Sequence, residues 1–108
     1  MRRWRSILMS GGDFDAFEWD PKKSDETFRM RGFDFATAAL VFGGIYLEYE
    51  DQREDYGEQR NVVTGIAGDN ALVLVVVWTP RGRNCRILSA RLAEQREREE
   101  YGRFRGVL

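Results

Sequence analysis

Histidine is missing from this 108-residue sequence altogether, and cysteine occurs once, at position 85. A transition-metal site would therefore have to rest on carboxylates, which suit harder ions better, so neither a metal nor another cofactor is expected. The commonest acid–base side chain is missing too. A lone Cys85 closes no intramolecular disulfide, which makes the reducing cytoplasm the expected compartment. Long apolar runs are also wanting. The longest, residues 71–78, falls far short of the roughly 20 residues that a membrane-spanning helix needs. The basic opening with Arg2, Arg3 and Arg5 is followed by only three apolar residues before Ser10-Gly11-Gly12-Asp13, too short a core for a signal peptide. Neither a membrane segment nor a secretory leader is expected. The length suits one hydrophobic core and not two, so one domain is expected.

Apolar residues make up 43% of the chain, with seven Phe, four Tyr and three Trp, which is enough to build a core and argues against a disordered polymer. The net charge of −1 conceals a segregation along the chain. Between positions 48 and 58 the acids Glu48, Glu50, Asp51, Glu54, Asp55 and Glu58 face only Arg53. From Arg81 onward eight Arg face four Glu. The cations are nearly all arginine, the exceptions being Lys22 and Lys23. Arginine's planar fork grips phosphate at two points, which lysine's point charge does not.

Residues 1–16 carry Gly11-Gly12 and no periodic pattern, and are expected to be a poorly ordered leader to a single domain over residues 17–108. A short alternating strand at Phe17-Glu18-Trp19 precedes Asp20-Pro21, an N-cap followed by proline at the first helical position. That predicts a helix to about Arg31, with Gly32 as its left-handed cap. Asp34 caps a second helix, in which Phe35, Ala38, Ala39 and Phe42 follow the spacing of a buried stripe until Gly43-Gly44. The period then changes to two. Strands are expected at residues 46–49, 61–66, 71–78 and 85–89, with turns at Gly68-Asp69-Asn70 and across residues 80–84. A mostly polar helix from Leu92 to about Phe104, with Glu94–Arg98 and Glu99–Arg103 spaced i, i+4, closes the chain. The fold class is α+β: a compact antiparallel sheet with two N-terminal helices and one C-terminal helix.

Phe17-Glu18-Trp19-Asp20-Pro21-Lys22, followed by Gly32, by Phe35 with Ala38-Ala39, and by Val41-Phe42, resembles the start of the BrnT toxins. Gly57-Glu58-Gln59-Arg60, the run from Leu74 through Thr79-Pro80-Arg81, and Arg86-Ile87-Leu88-Ser89-Ala90-Arg91 with Glu97-Arg98 and Tyr101 are similar to that family's second half. The ordered set spans about residues 17–101. The resemblance implies a RelE-like ribonuclease fold and growth-inhibiting RNA cleavage. It also implies neutralisation by a BrnA-type antitoxin, through which alone the toxin reaches operator DNA. Where family members often carry a lysine-histidine-glycine string this chain has Met30-Arg31-Gly32, and Trp78 stands where many have histidine or tyrosine.

When a ribose 2′-OH attacks the adjacent phosphate, negative charge gathers on the non-bridging oxygens, and preorganised cations aimed there are usually the largest catalytic contribution. Arg60 and Arg81 match the family's glutamate-arginine and threonine-x-arginine motifs and lead the catalytic candidates, with Arg86 and Arg91 beside them at strand ends. Arginine remains protonated at neutral pH and transfers no proton, which leaves Glu58, Glu97 and Tyr101 as acid–base candidates. Trp78 either stacks an unpaired base or closes the core at the end of its strand; with Arg83 and Arg98 it makes up the RNA-binding candidates. The acidic stretch is expected to lie away from the cleavage face or to face the antitoxin. The alternative to an enzyme is a catalytically weak or inactive protein-binding module of the same fold, acting in antitoxin-mediated transcriptional autoregulation.

Overall fold

The computed structural model describes residues 6–9, 14–70 and 72–107. Six strands form one sheet in the order β1-β3-β4-β5-β6-β2. They are β1 (Ser6–Met9), β2 (Phe17–Trp19), β3 (Ile45–Glu50), β4 (Asn61–Ile66), β5 (Val73–Arg81) and β6 (Asn84–Leu92). The ladders are antiparallel except at one edge, where β2 runs parallel to β6 with Glu18 opposite Arg86. Within the segment expected to be a poorly ordered leader, Ser6–Met9 instead pairs with β3 as an edge strand, and residues 1–5 and 10–13 lie outside the described residues.

Helix α1 (Pro21–Arg31) starts and stops where its sequence signals stand. The Asp20 carboxylate accepts from the Lys22 N–H at 2.9 Å, and Gly32 at φ +86° donates its N–H to Phe28. In α2 (Phe35–Ala39) the Asp34 carboxylate accepts from Thr37 N, and the chain tightens into a 3₁₀ turn over Leu40–Gly43. The buried Ser24 hydroxyl caps α2 from outside by accepting the Phe35 N–H at 3.0 Å, tying the two helices together. One sheet face carries the main core: Phe35, Val41 and Phe42 from the helical segment pack on Tyr46, Val63, Leu74, Val76, Trp78 and Ile87.

The boundaries of β5, β6 and α3 differ from the sequence expectation. Pro80 lies inside β5 and not in the turn. Its partner Cys85 donates its N–H outward to Ala16, so the Pro80–Cys85 pair exchanges no ladder bonds, and the missing Pro80 donor points past the end of β4. The turn shrinks to Gly82-Arg83, with Gly82 at φ +59°, where an L side chain is strained. The closing helix α3 (Gln95–Val107) starts later than Leu92, which still pairs with Leu74.

Candidate active site

Side chains alternate across a strand, so the register decides which residues share a face. Along β5, Leu74, Val76 and Trp78 enter the helix-side core, which turns Val75, Val77, Thr79 and Arg81 to the opposite face. Pairing carries that face outward. Thr79 lies opposite Arg86 and Val75 opposite Arg91, and Arg60, just before β4, accepts the Asp51 N–H through its carbonyl at 2.8 Å. Arg60, Arg81, Arg86 and Arg91 thus lie on the face turned away from α1 and α2. A β-bulge at Val77/Trp78 resets the β6 register so that Ile87 still enters the core and Arg86 still faces out.

Three of these guanidiniums meet around two carboxylates. Glu58 Oε2 accepts from Arg81 Nη1 at 2.7 Å, and Glu58 Oε1 stands 3.8 Å from Arg60 Nε. Next to them, Glu18 accepts from Arg86 Nη1 at 3.1 Å through one oxygen and from Asn84 Nδ2 at 3.0 Å through the other. The Arg60 guanidinium is stacked 4.1 Å above the Tyr56 ring centroid, and its Nε is buried with no hydrogen-bond partner. The Thr79 hydroxyl donates to the Gln59 carbonyl at 2.6 Å, pinning the segment that carries Glu58 and Arg60 to the end of β5. The hydrogen bond from Arg81, with the charges of Arg81 and Arg60, holds the Glu58 carboxyl below its ordinary range. Asn84 and then Arg86 do the same for Glu18, which also feels the charge of Arg81. The result is an array in which guanidiniums and carboxylates alternate.

Arg91, Glu97 and Tyr101 form a separate arrangement where α3 meets the sheet. Arg91 grips Glu97 with two parallel bonds of 2.7 and 2.9 Å, and Glu97 Oε1 also accepts the Glu94 N–H at 2.8 Å, closing the first turn of α3 as a capping-box acid. Glu97 is 2% exposed. Tyr101 is buried and donates its hydroxyl to the Ile45 carbonyl at 2.6 Å; burial pushes its phenol above the ordinary range. Of the three acid–base candidates, Glu58 is the one within the guanidinium array and open to solvent, its side chain 27% exposed.

The RNA-binding candidates lie apart from one another. Trp78 is in the helix-side core, edge-on to Phe14 and Phe42, with its Nε1 donating to the buried Glu48 at 3.0 Å. Arg83 is exposed in the β5–β6 turn and pairs with Asp15, and Arg98 is exposed on α3 with one guanidinium N–H on the Ala93 carbonyl. Sequence reasoning missed Glu18, Asn84 and Tyr56. The alternation of Glu18 with Phe17 and Trp19 marked it as facing away from the core, but a parallel pairing across 68 positions leaves no local signature. Among the described residues no three His, Cys, Asp or Glu side chains gather into a metal-holding group, and no helix is long and apolar enough to cross a membrane.

A family model described as "Ribonuclease toxin, BrnT, of type II toxin-antitoxin system" matches residues 19–97, a span that includes Glu58, Arg60, Arg81, Arg86 and Arg91. No curated protein matches the chain. The family match covers most of the sheet and both N-terminal helices, and the chain belongs to the BrnT family of ribonuclease toxins of type II toxin–antitoxin systems.

Proposed function

We propose that this toxin is a metal-independent endoribonuclease in which Arg60, Arg81 and Arg86 surround the scissile phosphate and Glu58 removes the 2′-hydroxyl proton. The observation that carries this reading is the convergence of Arg60 and Arg81 on one carboxylate, at 3.8 and 2.7 Å. A guanidinium drawn to a carboxylate oxygen is suited to a phosphate oxygen in the same place. The 2′-oxygen bonds to phosphorus while the bond to the 5′-oxygen breaks. Glu58 accepts the 2′ proton, and water supplies one to the departing 5′-oxygen. The products are a 2′,3′-cyclic phosphate and a 5′-hydroxyl. Glu18 acts as a positioning residue by holding Arg86, and Arg91, Glu97 and Tyr101 serve by fixing α3 to the sheet. Arg83 and Arg98, exposed beyond the array, contribute phosphate contacts further along the strand. A BrnA-type antitoxin neutralises the toxin by covering the arginine face with acidic and aromatic anchors. Through it the pair represses its own operator in the cytoplasm.

The test is cleavage of a single-stranded RNA by the purified chain in excess EDTA, with the product ends identified. Cyclic phosphate ends and a steep loss with Glu58→Gln at retained RNA affinity are expected. Full activity of Glu58→Gln would remove it as the base. A second reading is favoured by one observation: Arg81 and Arg86 each already hold a carboxylate. That suits a module that binds its antitoxin without catalysis, and a folded wild-type chain that binds the antitoxin and never cuts RNA decides for it.

A further inference from the structure

On the arginine-bearing face a groove of about 280 Å³ opens beside the guanidinium array. Its floor is apolar, made by Val62, Val75 and Val77 on adjacent strands, and Tyr49 stands along one side. Three guanidiniums reach its rim: Arg31 from the last turn of α1, Arg53, which holds Asp51, and Arg91, which holds Glu97. The groove is joined to the array by contact. Asp51 takes two hydrogen bonds from the Arg53 side chain at 2.9 and 2.8 Å and one from the Tyr56 hydroxyl at 3.1 Å, and Tyr56 is the ring on which Arg60 stacks. Along β5, Val77 and Arg81 are four residues apart on one face, about 13 Å at the rise of a strand.

We infer that this groove is the subsite for a base flanking the scissile phosphate of single-stranded RNA, an inference that rests on the nuclease reading of the neighbouring array. The volume lies just below the range of about 300–1,000 Å³ typical of ligand sites, room for one base rather than a longer segment. Val62, Val75 and Val77 give an apolar floor for a ring. The phenol of Tyr49 and the guanidinium planes offer the faces on which unpaired bases stack. Arg31 and Arg53 at the rim meet the phosphate that arrives with the base. Trp78, the sequence's own candidate for stacking, is sealed in the opposite core, so Tyr49 takes that part.

The test measures binding of a fluorescein-labelled, fully 2′-O-methylated RNA hexamer, which no 2′-hydroxyl chemistry can cut, by anisotropy. Tyr49→Leu should weaken binding about 5- to 150-fold. Arg53→Gln should lower the slope of log affinity against log salt by about one. Ser89→Trp, at an exposed rim position, should fill the groove and weaken hexamer binding to a similar extent. Arg53, with its side chain 82% exposed, serves as the variant least able to disturb folding, and thermal melts check all three. Unchanged hexamer affinity in the three folded variants overturns the inference, as does a wild-type chain that does not bind the hexamer. Retained hexamer affinity with lost antitoxin affinity assigns the groove to the protein partner instead. Because the probe is not cleavable, lost hexamer binding in a chain that never cuts RNA would uphold the groove and sink the nuclease reading alone.

Discussion

Arg81→Ala should separate catalysis from stability, because the Arg81 side chain does little for the fold. It is 44% exposed, at the last position of β5, and its partner Glu58 is itself open to solvent. Ion pairs so exposed contribute little to folding, and a strand-end residue leaves no cavity behind it. The melting temperature should therefore move by no more than a few degrees, on the scale of about 4–8 °C per kcal/mol for a domain this size. The rate should fall much further. Removing one preorganised donor from a developing oxyanion typically costs about 10²–10³. Arg81→Lys keeps the charge and loses the fork, so it should recover only part of that loss. Arg60→Ala should act on the same carboxylate and phosphate, so the double variant should lose less than the product of the two single losses. The assay is single-turnover cleavage of a quenched fluorescent RNA in EDTA, paired with thermal melts. A folded Arg81→Ala that cuts within about threefold of wild type would refute the reasoning, and so would fully multiplicative losses in the double variant.

Three further perturbations probe the surroundings of the array. Glu97→Ala leaves Arg91 without its bidentate partner and the Glu94 N–H without its cap; with Arg91 about one-third exposed, the cost should be about 2–4 kcal/mol by urea titration, and a fully stable but inactive variant would return Glu97 to the chemistry. Trp78→Phe removes the indole donor from the buried Glu48 and should cost about 1–3 kcal/mol without changing RNA affinity, because the ring is sealed from solvent. Asp51 is held at about 2, against an ordinary 3.8, first by its hydrogen bond from Arg53. A depressed carboxyl stabilises the fold above its unfolded pKa, and that contribution is lost as the pH falls through the folded one. Asp51→Asn should therefore be less stable than wild type at neutral pH, with the gap closing between about pH 4 and pH 2; a gap that stays constant would refute the assignment.

The parts of this fold legible in the sequence are those set by neighbours in the chain. Asp20-Pro21 and Gly32 bound α1 because capping is satisfied within a turn of its residue, and the two-residue period from Ile45 onward announced the strands. Sheet order and register follow from contacts between distant segments, so the β2 pairing that brings Glu18 to Arg86 was invisible. The acidic stretch shows how a run misleads. The sequence reads it as one unit, lying away from the cleavage face or facing the antitoxin, yet alternation and the reversal after β3 split it: Glu48 enters the core, Asp51 joins the groove, and Glu58 stands among the arginines. Arg60 and Arg81, which the motifs singled out, approach the same Glu58 carboxylate. Glu97, readable from its place in the helix as an acid that pairs with a nearby Arg, does so with Arg91, whereas the Tyr101 contact with the Ile45 carbonyl has no local signal.

In the proposed mechanism the pairing that depresses Glu58 is also what prepares it. An unmatched set of guanidiniums at these distances would repel, so Glu58 and Glu18 orient Arg60, Arg81 and Arg86 in the free protein and keep them from collapsing onto other partners. A carboxylate held low by Arg81 is a poor base. When a scissile phosphate arrives, Arg81 turns its fork to the non-bridging oxygens, Glu58 loses the hydrogen bond that lowered it most, and its basicity returns beside the 2′-hydroxyl. Substrate binding thus generates the base. The acid limb of kcat, which reports the bound enzyme, should then lie at higher pH than the acid limb of kcat/KM, which reports the free one. In Arg81→Gln the free-enzyme limb should rise toward the ordinary carboxylate range, and the two limbs should draw together. Coincident limbs in the wild type would mean that Glu58 keeps its hold on Arg81 throughout the reaction and acts as a positioning group rather than as the base.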